Sequence, residues 1–139
     1  MKLSARNQYT GTVSEVRSGP VSTEVTVAIN DADTLKATLT SESAADLGLA
    51  AGKPCVALFK ASAVVLGTGE PGRLSARNVF TGTVSAVKTG AVSSEVTLTT
   101  TGGLSIAATT TQEATSELGL VVGAPAFALV KASAVIVGV

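Results

Sequence analysis

The feature that most restricts this chain is an internal repeat. Leu3-Ser4-Ala5-Arg6-Asn7 returns as Leu74-Ser75-Ala76-Arg77-Asn78, and Lys60-Ala61-Ser62-Ala63-Val64 returns as Lys131-Ala132-Ser133-Ala134-Val135, both displaced by 71 positions. Residues 3–67 slide onto 74–138 without a gap, and about half of the positions are identical. A period this long with only two copies argues for paired globular modules, because solenoids stack many shorter repeats. The modules are expected at 1–67 and 74–139, joined by Thr68-Gly69-Glu70-Pro71-Gly72-Arg73, whose Gly and Pro content marks an exposed turn.

A module of that size buries only about 60% of its unfolded surface and is marginal alone. Hydrophobic residues nevertheless make up 45% of the chain and charged residues 14%. So apolar a composition predicts further burial between subunits, hence an oligomer. Aromatics are only 3%, so the core is built from Val, Ala and Leu, with the branched residues suited to a pleated sheet.

In the first copy Val21, Thr23, Val25, Val27 and Ile29 alternate with Ser22, Glu24, Thr26 and Ala28, the period of a strand with one buried face. The second copy repeats this less cleanly from Val92 to Leu98. Further strands are expected at Thr10 to Arg17, Leu35 to Leu39, Cys55 to Lys60 and Ala63 to Gly67, punctuated by Gly19-Pro20 and Asn30-Asp31. One helix interrupts them, capped by Thr40 or Ser41 and ended by Gly48, with its equivalent at Thr111 to Gly119. Three strands, a short helix and two strands predict a mainly β chain of two tandem OB-like five-stranded barrels, each with one short helix.

Ten Lys and Arg balance ten Asp and Glu, leaving no long-range field for nucleic acid or acidic membranes. No His is present and only one Cys, so neither zinc or copper ligand sets nor Ser-His-Asp and Cys-His catalytic pairs can be assembled. No enzyme, no catalytic cofactor and no metal-cation site is expected. Cys55, which becomes Ala126, reads as core, and Glu24 and Glu95 read as solvated acids on the polar side of a strand. The N-terminal residues lack the apolar region of a secretion signal, and no apolar run reaches the roughly 20 residues of a membrane helix, so a cytoplasmic location is expected.

Three clusters carry possible chemistry. Ser4-Ala5-Arg6-Asn7 and its copy group hydroxyl, guanidinium and amide donors, and Arg forks onto oxyanions through paired hydrogen bonds. An Arg near a terminus is more often a solvated surface charge. Lys60 and Lys131 interrupt apolar stretches, either to meet an anion or to sit in a turn with the ammonium in water. Thr40 and Ser43 lie at a helix start, where backbone N–H groups favour anions and where simple capping also explains Thr40. Ala114 replaces Ser43 in the second copy. Together the clusters offer cations, hydroxyls and amides without a carboxylate, which suits a dianion better than a cation.

With these motifs, and with Gly11-Thr12-Val13, Gly19-Pro20-Val21 and Glu24-Val25, the chain resembles the molbindins, two-domain molybdate-binding proteins built from Mop domains of TOBE type. The resemblance covers nearly all of both copies. It implies a cytoplasmic homotrimer that stores and buffers molybdate or tungstate for metal homeostasis, with the anion held between modules. One class of site would use Ser4, Ala5, Arg6, Thr40, Ser43, Lys60 and Ala61, then Ser75, Ala76, Arg77, Thr111, Lys131 and Ala132. A second class, near a three-fold axis, would use Val21, Ser22, Val92 and Ser93. Alternatives are a molybdate-dependent regulatory or carrier partner and, against the charge balance, an OB-fold nucleic-acid binder.

Overall fold

The computed structural model describes residues 2–139. The first copy runs β1 (Asn7–Ser18), β2 (Ser22–Ala28), β3 (Thr34–Thr40), α1 (Ser41–Asp46), β4 (Pro54–Phe59), a single 3-10 turn at Ala61–Ala63, and β5 (Val65–Gly67). The second repeats this as β6 (Asn78–Thr89), β7 (Ser93–Thr100), β8 (Ser105–Thr111), α2 (Gln112–Glu117), β9 (Pro125–Val130), a turn at Ala132–Ala134, and β10 (Ile136–Gly138). Neither strand nor helix falls between Gly67 and Asn78. Among the described residues no helix is long and apolar enough to cross a membrane.

These strands form two five-stranded antiparallel sheets, ordered β10-β4-β1-β2-β3 and β5-β9-β6-β7-β8. The five strands of each sheet do not come from one copy. Ile136, Val137 and Gly138 pair with Leu58, Ala57 and Val56, while Val65, Leu66 and Gly67 pair with Leu129, Ala128 and Phe127. Each copy thus lends its last strand to the other's sheet, and sheet membership crosses the repeat boundary. In both sheets the edge strands also approach each other, β3 with β10 and β8 with β5, which curls each sheet.

The long first strands bend at a register shift between Val13 and Glu15 and again between Val84 and Ala86. Just before each bend lies Gly11 or Gly82. A Cβ on Gly11 would stand 2.5 Å from the Ala28 carbonyl oxygen, and one on Gly82 would collide with that of Thr99. Gly48 and Gly119 end the helices at φ +62° and +64°, as the sequence predicts.

Val13, Val25, Val27, Leu35, Ala37, Ala57 and Phe59 merge with their counterparts into one continuous core across both copies. The weaker alternation of the second copy has a simple cause. Strand β7 alternates in burial, but of its two inward hydroxyl residues Ser94 matches the buried Thr23 while Thr100 stands where the first copy has Ile29. Their hydroxyls are satisfied by Gln112 Oε1 at 2.5 Å and Asp33 Oδ2 at 3.0 Å.

Candidate functional site

The Ser-Ala-Arg-Asn motif divides by function at its last residue. Asn7 opens β1 and is 2% exposed. Its Nδ2 donates to the Ala107 carbonyl at 2.8 Å and its Oδ1 accepts from the Ala107 N–H at 2.8 Å. Asn78 does the same with Lys36, also at 2.8 Å in both directions. These amides complete the edges of β8 and β3 in the opposite copy, so they are structural and not free anion donors. Polar groups buried this deeply must be paired.

Arg6 and Arg77 remain exposed. Arg6 Nη2 contacts Glu95 Oε1 at 2.8 Å, and Arg77 Nη2 contacts Glu24 Oε1 at 3.2 Å. Glu24 and Glu95 are therefore not merely solvated acids. Each is half-buried and paired with the arginine of the other copy. Strand periodicity placed them on the polar face but gave no view of what crosses over to it.

Lys60 follows the last rung of the β1–β4 ladder, Asn7 with Phe59, so Arg6 and Lys60 leave adjacent strand ends. Lys60 is the exposed N-cap residue of the 3-10 turn, and Ala61 behind it is buried. Lys131 and Ala132 repeat this after the rung Asn78 with Val130. Among the described residues neither lysine has an ion-pair partner. The turn at Ala61–Ala63 packs beside β8, and that at Ala132–Ala134 beside β3. Ser4 and Ser75 are exposed nearby in sequence, and Ala5 and Ala76 are half-buried.

Thr40 caps α1, accepting from Ser43 N–H at 3.1 Å and donating to Ser43 Oγ at 2.8 Å. Thr111 caps α2 by accepting from Ala114 N–H at 3.0 Å. The rungs Ser22 with Thr40 and Ser18 with Thr23 put this helix start at the far end of β1 from Asn7. At roughly 3.3 Å per residue, β1 separates its ends by up to about 36 Å. Arg6 and Lys60 therefore lie at one end of the first sheet and Thr40 and Ser43 at the other. Across copies, Arg6 pairs with Glu95, whose rung partner Thr109 lies two residues before Thr111.

The other predicted set, Val21, Ser22, Val92 and Ser93, lies at the β1–β2 and β6–β7 turns. Val21 and Val92 are each 81% exposed. Their carbonyls are engaged by Ser41 and Gln112 N–H at 2.9 and 3.0 Å, and those of Ser22 and Ser93 by Gly19 and Gly90 at 3.0 and 2.9 Å.

A cavity lies between the two copies. About 360 Å³ opens beside Lys36, Arg77, Asn78, Phe80 and Thr34. At the equivalent place Tyr9 replaces Phe80 and sends its hydroxyl to the Ser105 carbonyl at 2.6 Å, with Asn7 Oδ1 at 3.1 Å. Burial pushes the Tyr9 phenol above its ordinary range, so it stays a neutral donor. Burial likewise raises the Cys55 thiol, in keeping with a core residue. Lys36 is a residue that sequence reasoning did not single out, and the two glutamates were singled out only as solvated acids. The recurrence of Glu24 as Glu95 at the same offset was the signal that they have a partner, whereas Lys36 becomes Ala107 and gave none. Among the described residues no group of three or more His, Cys, Asp or Glu side chains could hold a metal ion.

Residues 3–66 and 74–137 each match the TOBE domain. Among curated proteins, the chain is 51% identical over 140 residues to molybdenum transport protein ModE of Herbaspirillum seropedicae and 44% identical over 137 residues to molybdenum-pterin-binding protein MopA of Rhodobacter capsulatus. These matches cover 100% and 98% of the chain but 52% of each relative, so the chain spans about half the length of the curated relatives it matches. Among solved structures it is similar to the cytoplasmic molybdate-binding protein ModG in a form with molybdate bound, at 53% identity and a TM-score of 0.95. That likeness covers 100% of this chain and 99% of the other.

Proposed function

The chain belongs to the TOBE-domain family, as two tandem copies, and from that premise we propose that it binds molybdate or tungstate, storing and buffering the oxyanion in the cytoplasm without catalysing a reaction. The observation that carries this reading is the end-to-end likeness to molybdate-bound ModG. The units are the two Mop modules, 1–67 and 74–139, with 68–73 as linker.

Arg6 and Lys60, leaving adjacent strand ends, bring two positive charges to meet the two negative charges of a tetrahedral oxyanion. Charge-assisted hydrogen bonds from a guanidinium are the strong kind. Ser4, with the backbone of Ala5 and Ala61, completes that half of the site. Thr40 and Ser43 supply hydroxyls to a different half, because they stand at the other end of their own sheet. Ser75, Ala76, Arg77, Lys131, Ala132 and Thr111 form the corresponding halves from the second copy, with one hydroxyl fewer where Ala114 stands. Complementary halves meet when chains associate, and a homotrimer is the assembly we propose. The turns at Val21, Ser22, Val92 and Ser93 would face its axis and form the second class of site.

Titration calorimetry with molybdate tests the assignment. Arg6→Ala and Lys60→Ala each abolish the sites that use the first copy's residues while the fold persists. Unchanged stoichiometry and affinity would refute it. Native mass spectrometry reports subunit number and bound anions together. A regulatory role is the second reading, favoured because ModE relatives contain this two-module unit within a chain about twice as long. Pull-downs with and without molybdate separate the two: a partner captured only in one state marks an effector.

A further inference from the structure

Each arginine of the repeated motif is already engaged by a carboxylate of the other copy. Arg6 meets Glu95 at 2.8 Å, and with the copies exchanged Arg77 meets Glu24 at 3.2 Å. The arginine side chains are 59% and 52% exposed, whereas the glutamates are only 26% and 20% exposed. The carboxylates are thus the fixed members of the pairs, held on β7 and β2, and the guanidinium groups are the members free to move. One residue makes the two pairs unequal. Lys36 Nζ lies 3.6 Å from Glu24 and is steadied by Thr26 Oγ1 at 3.2 Å. Its counterpart 71 positions on is Ala107, so among the described residues Glu95 has Arg6 alone as ion-pair partner.

We infer that Glu24 and Glu95 are built-in competitors of the bound oxyanion, and that Lys36 relieves this competition on the Arg77 side only. The inference rests on the reading of Arg6 and Arg77 as oxyanion ligands. A carboxylate and an oxyanion present the same acceptor oxygens to a guanidinium. The incoming dianion must displace the glutamate or share the arginine with it, and sharing places like charges close together. Lys36 already offsets the charge of Glu24, so Arg77 is released at lower cost than Arg6. Two unequal affinities follow, and they spread uptake and release over a wider range of free anion than equal sites would. Exposed ion pairs are weak and salt-screened, so the difference is a matter of several-fold.

Calorimetric titration of the full chain with molybdate at low salt tests this. Glu95→Gln is isosteric and keeps an acceptor for Arg6, so it removes charge without removing the contact. It is expected to tighten the Arg6-containing sites about two- to fivefold, with the gain shrinking as salt rises. Glu24→Gln tightens its sites less. Lys36→Ala weakens the Arg77-containing sites, and it leaves intact the backbone groups that Asn78 binds. Unchanged or weaker binding by Glu95→Gln, with wild-type binding normal, overturns the competition alone. A wild-type chain that takes up no molybdate overturns both this inference and the function beneath it.

Discussion

Tyr9 and Phe80 occupy equivalent places and differ by one hydroxyl, which Tyr9 uses for a hydrogen bond to the other copy. The Tyr9 hydroxyl donates to the Ser105 carbonyl in surroundings whose burial disfavours phenolate. The folded state therefore holds the phenol's proton more tightly than the unfolded chain, whose tyrosine titrates near 10. The stability this contributes is fully present below about pH 10 and is lost as pH rises further, because unfolding then releases a proton. Tyr9→Phe is expected to cost about 1 kcal/mol at neutral pH, one hydrogen bond's worth, and to flatten the alkaline decline. Phe80 indicates that the ring itself fits. Urea unfolding of both proteins at about pH 7 and about pH 11 checks this, and equal alkaline slopes would contradict it.

At the scale of elements, the exchange of β5 and β10 ties the two sheets together more firmly than a six-residue linker would. Strand β10 is three residues long, yet Val137 within it is 8% exposed and belongs to the common core. A chain ending at Val135 therefore damages the sheet of the first copy although the deleted residues are coded in the second. The expected loss is about 2 kcal/mol from the buried valine and the missing rungs. Amide exchange locates it: protection should fall at Val56, Ala57 and Leu58 more than at Phe127, Ala128 and Leu129. The reverse pattern would mean that the sheets do not exchange their last strands.

For the whole molecule, the two most exposed large apolar side chains among the described residues are Val21 and Val92, one on each copy at equivalent turns. The proposed trimer would turn both toward its axis and cover them. If oxyanion sites are completed between chains, ligand and assembly stabilise each other, since anything bound only to the folded assembly shifts the unfolding equilibrium. Free molybdate at 100 times its dissociation constant should add about 2.7 kcal/mol per site. Thermal melts with and without molybdate measure this, and no shift at saturation would sink the linkage.

The duplication, the strand periods, the caps at Thr40 and Thr111 and the helix-ending glycines were legible in the sequence, because each is written in residues close together along the chain. The arginines and lysines were legible as well, by recurrence. What only the tertiary structure decided is which partner each element takes. Val65-Leu66-Gly67 and Ile136-Val137-Gly138 are nearly equivalent short strands, so local pattern cannot say which sheet either joins. Asn7 looked like an anion donor because its true partner, Ala107, lies 100 positions away, and Glu24 looked solvated because Arg77 lies 53 positions away. Local propensity sets the period of a strand, but pairing is settled by contacts between distant segments, whose gain appears only when the whole chain is folded.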